Sequence, residues 1–117
     1  MRADLTITTT GRYYRDSYNP TNLWLVLGMS YWDEENTIKE KGYFYKNGTL
    51  KPIGAKYLLT KLKRIKLTRE MINAHVRKHK DQMQRENWNK YFTDKYAEML
   101  AFWQEAVDKK SSVVWSC

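Results

Sequence analysis

A chain of 117 residues has the length of one average domain, and with 42% hydrophobic and 15% aromatic residues it carries too much large apolar surface to remain disordered. Its formal net charge of +8 at pH 7 directs attention to polyanionic partners. The longest apolar run, 23–29, is broken by Gly28 and too short for a membrane span or a secretory core, and the single Cys117 excludes both an intramolecular disulfide and a cysteine-based zinc site within one chain. A cytoplasmic protein without membrane partners is expected, with Cys117 an exposed thiol on a frayed end.

All five glycines and both prolines lie at or before position 54, so the secondary structure is expected to change there. Before the break, β-rich segments recur at 5–10, 23–29 and 37–45, with a buried helix over 23–32 as the alternative for the second. Residues 16–22 read as a loop, because Asn19 precedes a proline and Asp16, Ser17 and Asn22 compete for backbone hydrogen bonds. Asp33, Glu34 and Glu35 read as a polar turn between strands, with Glu40 and Lys41 nearby. Asn47-Gly48 predicts a hairpin with a type I′ turn, since both residues tolerate positive φ.

After Gly54 the apolar period becomes helical. Leu58, Leu62 and Ile65, with Leu59 alongside, form the stripe of a first helix. A second starts at Thr68, whose hydroxyl can cap it, with Glu70 in its first turn and Ile72 and Val76 as its apolar pair. The third carries Trp88, Tyr91, Phe92, Tyr96, Met99, Leu100, Trp103 and Val107 at spacings of three and four, a pattern that belongs to a core. The expectation is one α+β domain: a small antiparallel sheet of about three strands within 1–54, packed against about three helices within 55–110, with 111–117 as a tail.

Charge divides the chain more sharply than composition does. Residues 1–55 carry seven Lys or Arg against six Asp or Glu, and residues 81–117 five against six, whereas residues 56–80 carry nine against Glu70 alone. Solvated helices ordinarily mix signs at i and i+4, and here like charges crowd within about a Debye length of ~10 Å at 0.1 M salt. The segment is either a solvated face kept soluble by lysine or a contact surface, for which nucleic acid is the leading partner, with Lys61, Lys63, Arg64, Lys66, Arg69, Asn73, Arg77, Lys78 and Lys80 as contacts, and an acidic protein surface is the alternative. Two helices joined near Leu67 and Thr68 have the gross form of a helix-turn-helix, in which Asn73 and Arg77 would reach base edges. Tyr13, Tyr14, Tyr18, Trp24, Tyr31, Trp32, Tyr43 and Tyr45 supply rings that could stack on single strands, at least half of them needed for the core.

No catalytic apparatus is legible. His75 and His79 share a helix face at i, i+4 but lack the adjacent Glu and third ligand of a zinc site, and they read as packing or phosphate-facing residues. The acidic run at 33–35 lacks the separated acids of a metal-dependent nuclease, and no phosphate loop or activated nucleophile is present. No cofactor or metal is expected. The competing function is a non-enzymatic interaction module or inhibitor that docks basic helices on an acidic nucleic-acid enzyme, a character that suits an accessory protein of a virus or mobile element as well as a cellular regulator.

Overall fold

A period of two decides the first element. In β1 (Ala3–Ile7) Ala3, Leu5 and Ile7 are completely buried while Asp4 and Thr6 are half-exposed, as a sheet with one wet face requires. The computed structural model describes residues 2–84 and 87–117 and pairs this strand on both sides, antiparallel with β2 (Tyr13–Asp16) and with β3 (Val113–Ser116), in the order β2-β1-β3. Leu5 stands opposite Tyr14 on one side and Trp115 on the other, and Ile7 opposite Val113, so the register gathers the apolar side chains on one face. The protein is a mixed α+β fold, but its third strand comes from the C-terminal end. Residues 111–117, expected as a tail, are held in the sheet because Val113 is buried and Trp115 packs against the core.

Five helices complete the fold among the described residues, two of them where strands were expected. The segment 23–29 contains α1 (Leu23–Val26), and capping explains the reversal. The Asn22 side chain accepts the Leu25 amide at 3.1 Å, and the buried Asp16 carboxylate accepts the amides of Leu23 at 2.8 Å and Trp24 at 3.4 Å. The first four residues of 37–45 are likewise lost to α2 (Tyr31–Glu40), whose first turn is capped by Ser30 and contains Asp33 and Glu34, while Tyr31, Glu34 and Ile38 form its buried stripe. The acidic run is therefore the start of a helix, not a turn between strands. Gly42, at φ +75°, ends α2: its amide donates to the Lys39 carbonyl and the Tyr43 amide to that of Ile38, the double closure of a Schellman motif.

The Asn47-Gly48 turn differs from its expected form, since only Gly48 has positive φ, at +83°. The Gly48 amide donates to the Tyr45 carbonyl and the Tyr45 amide to Thr49, and the loop is flanked by a single bridge between Phe44 and Leu50. Leu50 also bridges to Val113, which attaches this loop to the sheet.

α3 (Pro52–Arg64) begins with Pro52 in its first turn and buries Ala55, Leu58, Leu59 and Leu62. Gly54, expected to mark a break, lies inside this helix: a Cβ there would approach Leu50 Cδ1 to 2.3 Å and Tyr43 Cβ to 3.3 Å, so its absence lets the 43–50 loop close on the helix. α4 (Arg69–Lys78) starts at Thr68, whose hydroxyl accepts the Met71 amide at 3.2 Å. α5 (Trp88–Asp108) runs through the middle, burying Phe92, Met99, Phe102, Trp103 and Ala106, and α3, α4 and β2 all pack on it.

Trp103 is completely buried and in edge-to-face contact with Phe102 at 5.2 Å. Trp103→Ala is expected to cost about 3 kcal/mol in urea unfolding, the lower part of the range for emptying a core aromatic site. A variant that unfolds with the parent's midpoint would place this stripe outside the core.

Candidate nucleic-acid interface

The basic segment is held out to solvent by the apolar side of its own helices. Because Ala55, Leu58, Leu59 and Leu62 fix one face of α3 inward, Lys56, Lys63 and Arg64 remain exposed. The Tyr96 hydroxyl donates to the carbonyl of Ile65 at 2.8 Å, which anchors the end of α3 to α5 and leaves Lys66 exposed in the connection. On α4, Ile72 and His75 turn inward, so Arg69, Arg77 and Lys78 are exposed, as is Lys80 just beyond the helix.

The ion pairs fall almost entirely elsewhere. Arg2 and Arg15 meet Asp4 at 3.0 and 4.0 Å, Arg12 meets Glu105 at 3.1 Å, Lys39 meets Glu35 at 3.6 Å, Lys90 meets Asp94 at 2.7 Å and Lys95 meets Glu98 at 3.7 Å. Among the described residues, Lys61 is the one base of 56–80 with an acidic partner. Lys56, Lys63, Arg64, Lys66, Arg69, Arg77, Lys78 and Lys80 have none.

Two expected contact residues have other work. Lys61 donates to Glu34, a carboxylate only 5% exposed that also accepts the Tyr57 hydroxyl at 3.2 Å, and this hydrogen bond raises the Lys61 ammonium above its ordinary pKa. The side chain thereby links α3 to α2. Asn73 accepts from the Asn89 side chain at 2.9 Å, joining α4 to α5, so its carbonyl oxygen already serves the fold. The helix-turn-helix form is also altered, because α3 and α4 make their main contacts with α5 and not with each other.

Of the candidate stacking rings, Tyr14, Trp24 and Tyr31 are core residues, whereas Tyr13, Tyr18, Trp32 and Tyr45 are exposed. Tyr43 is half-buried beside α3, where it borders a groove of about 570 Å³ together with Ile53, Lys56, Tyr57, Lys61 and Arg64. Ile53, Lys56 and Tyr57 were not among the expected contacts. The sequence carries no local signal for them, because the groove joins Tyr43, before α3, to residues along α3 itself.

His75 is 9% exposed, and its Nε2 donates to the Pro20 carbonyl at 2.6 Å, tying α4 to the 17–22 loop. It packs edge-on to Phe92, with the His79 ring at 4.6 Å. Burial lowers its pKa, and neighbouring His79 and Lys78 act in the same direction against the opposing hydrogen bond to the Pro20 carbonyl. No group of three His, Cys, Asp or Glu among the described residues could hold a metal ion. No described helix is long and apolar enough to cross a membrane. Comparison with known proteins finds no matching family, no matching curated protein and no matching solved structure.

Two measurements check these placements. Lys61→Gln leaves the buried Glu34 without its cation and is expected to cost about 1–2 kcal/mol, less than a fully buried pair because the Lys61 side chain is partly solvated. Lys63→Gln should leave the unfolding midpoint unchanged; equal losses would contradict the different roles given to the two lysines. For His75, the unfolded chain protonates near pH ~6.5 and the folded chain only below that, so its contribution to stability is present above about pH 6.5 and lost as pH falls through the folded value. Urea midpoints measured between about pH 7.5 and 5.5 should fall more steeply for the parent than for His75→Gln, and parallel profiles would remove His75 from this role.

Proposed function

We propose that the protein is a non-catalytic nucleic-acid-binding protein whose cationic surface on α3, the 65–68 connection and α4 engages the phosphate backbone. The observation that carries this reading is the group of Lys63, Arg64, Lys66, Arg69, Arg77, Lys78 and Lys80, all exposed and without an acidic partner among the described residues, whereas Arg2, Arg12, Arg15, Lys39, Lys90 and Lys95 each have one. Unpaired cations on rigid helices retain their full charge for an external anion, and each phosphate they meet releases a condensed counterion. Arg77 is exposed and available for a base edge, whereas the Asn73 carbonyl oxygen is engaged by Asn89. Lys61 contributes to the local field, while its hydrogen bonds serve the fold. The 17–22 loop, held to α4 through His75, supports the helix from behind.

Binding of this kind has a measurable signature. Affinity should fall linearly in log[salt], and Lys63→Gln, Arg64→Gln and Lys66→Gln combined should flatten the slope by about 2 to 3, with ~0.7 expected per contact on single strands and ~0.9 on duplex. The fold should be unaffected, since these side chains point away from Leu58 and Leu62. Gel shifts with DNA and RNA, single- and double-stranded, across a salt series provide the test. No measurable affinity for any of the four near ~50 mM salt would overturn the reading, because phosphate binding is strongest at low salt. The same triple variant, compared with the parent in a pull-down from cell extract, would then test the alternative of an acidic protein partner.

A further inference from the structure

The groove along α3 joins two chemistries that a purely phosphate-binding surface has no use for. One wall is apolar: Ile53 is 52% exposed in the first turn of α3, and Tyr43 and Tyr57 meet beside it with ring centroids 6.2 Å apart, edge to face. The rim is cationic: Lys56 and Arg64 line the same groove without acidic partners, and Lys41 lies 5.4 Å from the centre of the Tyr57 ring. Glu34, the nearby acid, already holds Lys61 and the Tyr57 hydroxyl. The groove therefore presents net positive charge around an exposed aliphatic and aromatic floor, and its volume of about 570 Å³ lies within the ~300–1,000 Å³ typical of built ligand sites.

We propose that this groove takes a nucleotide unit of a single-stranded nucleic acid, its base against Ile53, Tyr57 and Tyr43 and its phosphates on Lys56 and Arg64. The inference rests on the nucleic-acid reading above and narrows it to unpaired strands. A duplex keeps its base faces stacked inside and offers a concave, apolar site nothing flat to bury, whereas a single strand exposes both a base face and the adjoining phosphates. The occupant must carry negative charge and a planar apolar group close together, and a nucleotide does so in every unit.

The test compares fluorescently labelled oligothymidylate with a duplex of equal length, about 12 nucleotides, a size within the ~4–16 per site of single-strand binding folds. The full chain should bind the single strand roughly fivefold or more tightly than the duplex. Ile53→Gln, at an exposed position where folding is not at stake, should weaken single-strand binding about fivefold with an unchanged salt slope, because stacking releases no counterions. Tyr57→Leu should do the same, and Lys56→Gln should instead flatten the slope by about 0.7. Equal affinity for both forms, or groove variants that bind like the parent, would overturn the groove while leaving phosphate binding intact. Failure to bind either form would overturn the nucleic-acid reading itself. Thymidine monophosphate binding as tightly as the oligomer would assign the groove to a free nucleotide, and displacement of the oligomer by polyglutamate would assign it to an acidic polypeptide; both would overturn a single-strand site.

Discussion

The carboxylate of Asp16 is the constraint on which the arrangement of elements depends. It is completely buried at the end of β2, and burial raises its pKa while the hydrogen bonds from Leu23, Tyr31 and Trp24 pull in the opposite direction. It accepts the amides of Ser17, Leu23 and Trp24 and the hydroxyl of Tyr31 at 2.9 Å. A buried charge is tolerated only when its lone pairs are satisfied, so removing any of these donors exposes part of a desolvation cost of several kcal/mol. One side chain thus fixes the end of the sheet, the start of α1 and the start of α2 together. With Tyr31 held, Trp24 stacks on it at 3.7 Å and sends its indole N–H toward the Met99 sulfur at 3.1 Å, which connects the hub to α5. α5 in turn carries α3 and α4, and with them the basic surface.

Local signals and tertiary demands agree over much of the helical half. Leu58, Leu62, Ile72, Phe92, Met99 and Trp103 all lie on the buried faces their spacing implies, and Thr68 caps α4 as its hydroxyl predicts. Local signals fall short where a distant group decides. The residues of α1 have strand-like composition, and what makes them helical is a carboxylate seven positions earlier, in another element. β3 pairs with β1 from the opposite end of the chain, so no window of sequence near 113–116 contains the partner that orders it. In α2, the acids that resembled a turn are a favourable first helical turn once Ser30 caps it.

For the site, charge density was legible and its disposal was not. Composition places nine bases within 56–80, but only three-dimensional placement distinguishes Lys61, which secures the buried Glu34, from Lys63, which has no acidic partner among the described residues. Asn73 illustrates the same limit, because Asn89 comes from a different helix. The groove was hidden for another reason. Its wall joins Tyr43, from the end of the α2 loop, to Ile53 and Tyr57 on α3, and the close approach depends on Gly54, which reads in sequence as punctuation and acts in the fold as a space for Leu50.

A surface that concentrates like charge weakens its own fold, since the cations repel one another over distances comparable with the Debye length. Here the opposing forces are spatially separated. The apolar faces of α3 and α4 are fixed on α5, and their ends are held by Tyr96 at Ile65 and by Thr68 at Met71, so the helices cannot relax by drawing the cations apart. The repulsion is thereby retained in the free protein, since among the described residues Glu34, on Lys61, is the one acid that pairs with a base of 56–80. On the proposed reading, a polyanion that bridges these cations removes that repulsion when it binds, and its binding energy adds to the stability of the folded chain by linkage. Rigidity of the helices and the lack of internal pairing are then two aspects of one design, because each cation that folded onto an internal carboxylate would have to be separated from it before it could meet a phosphate.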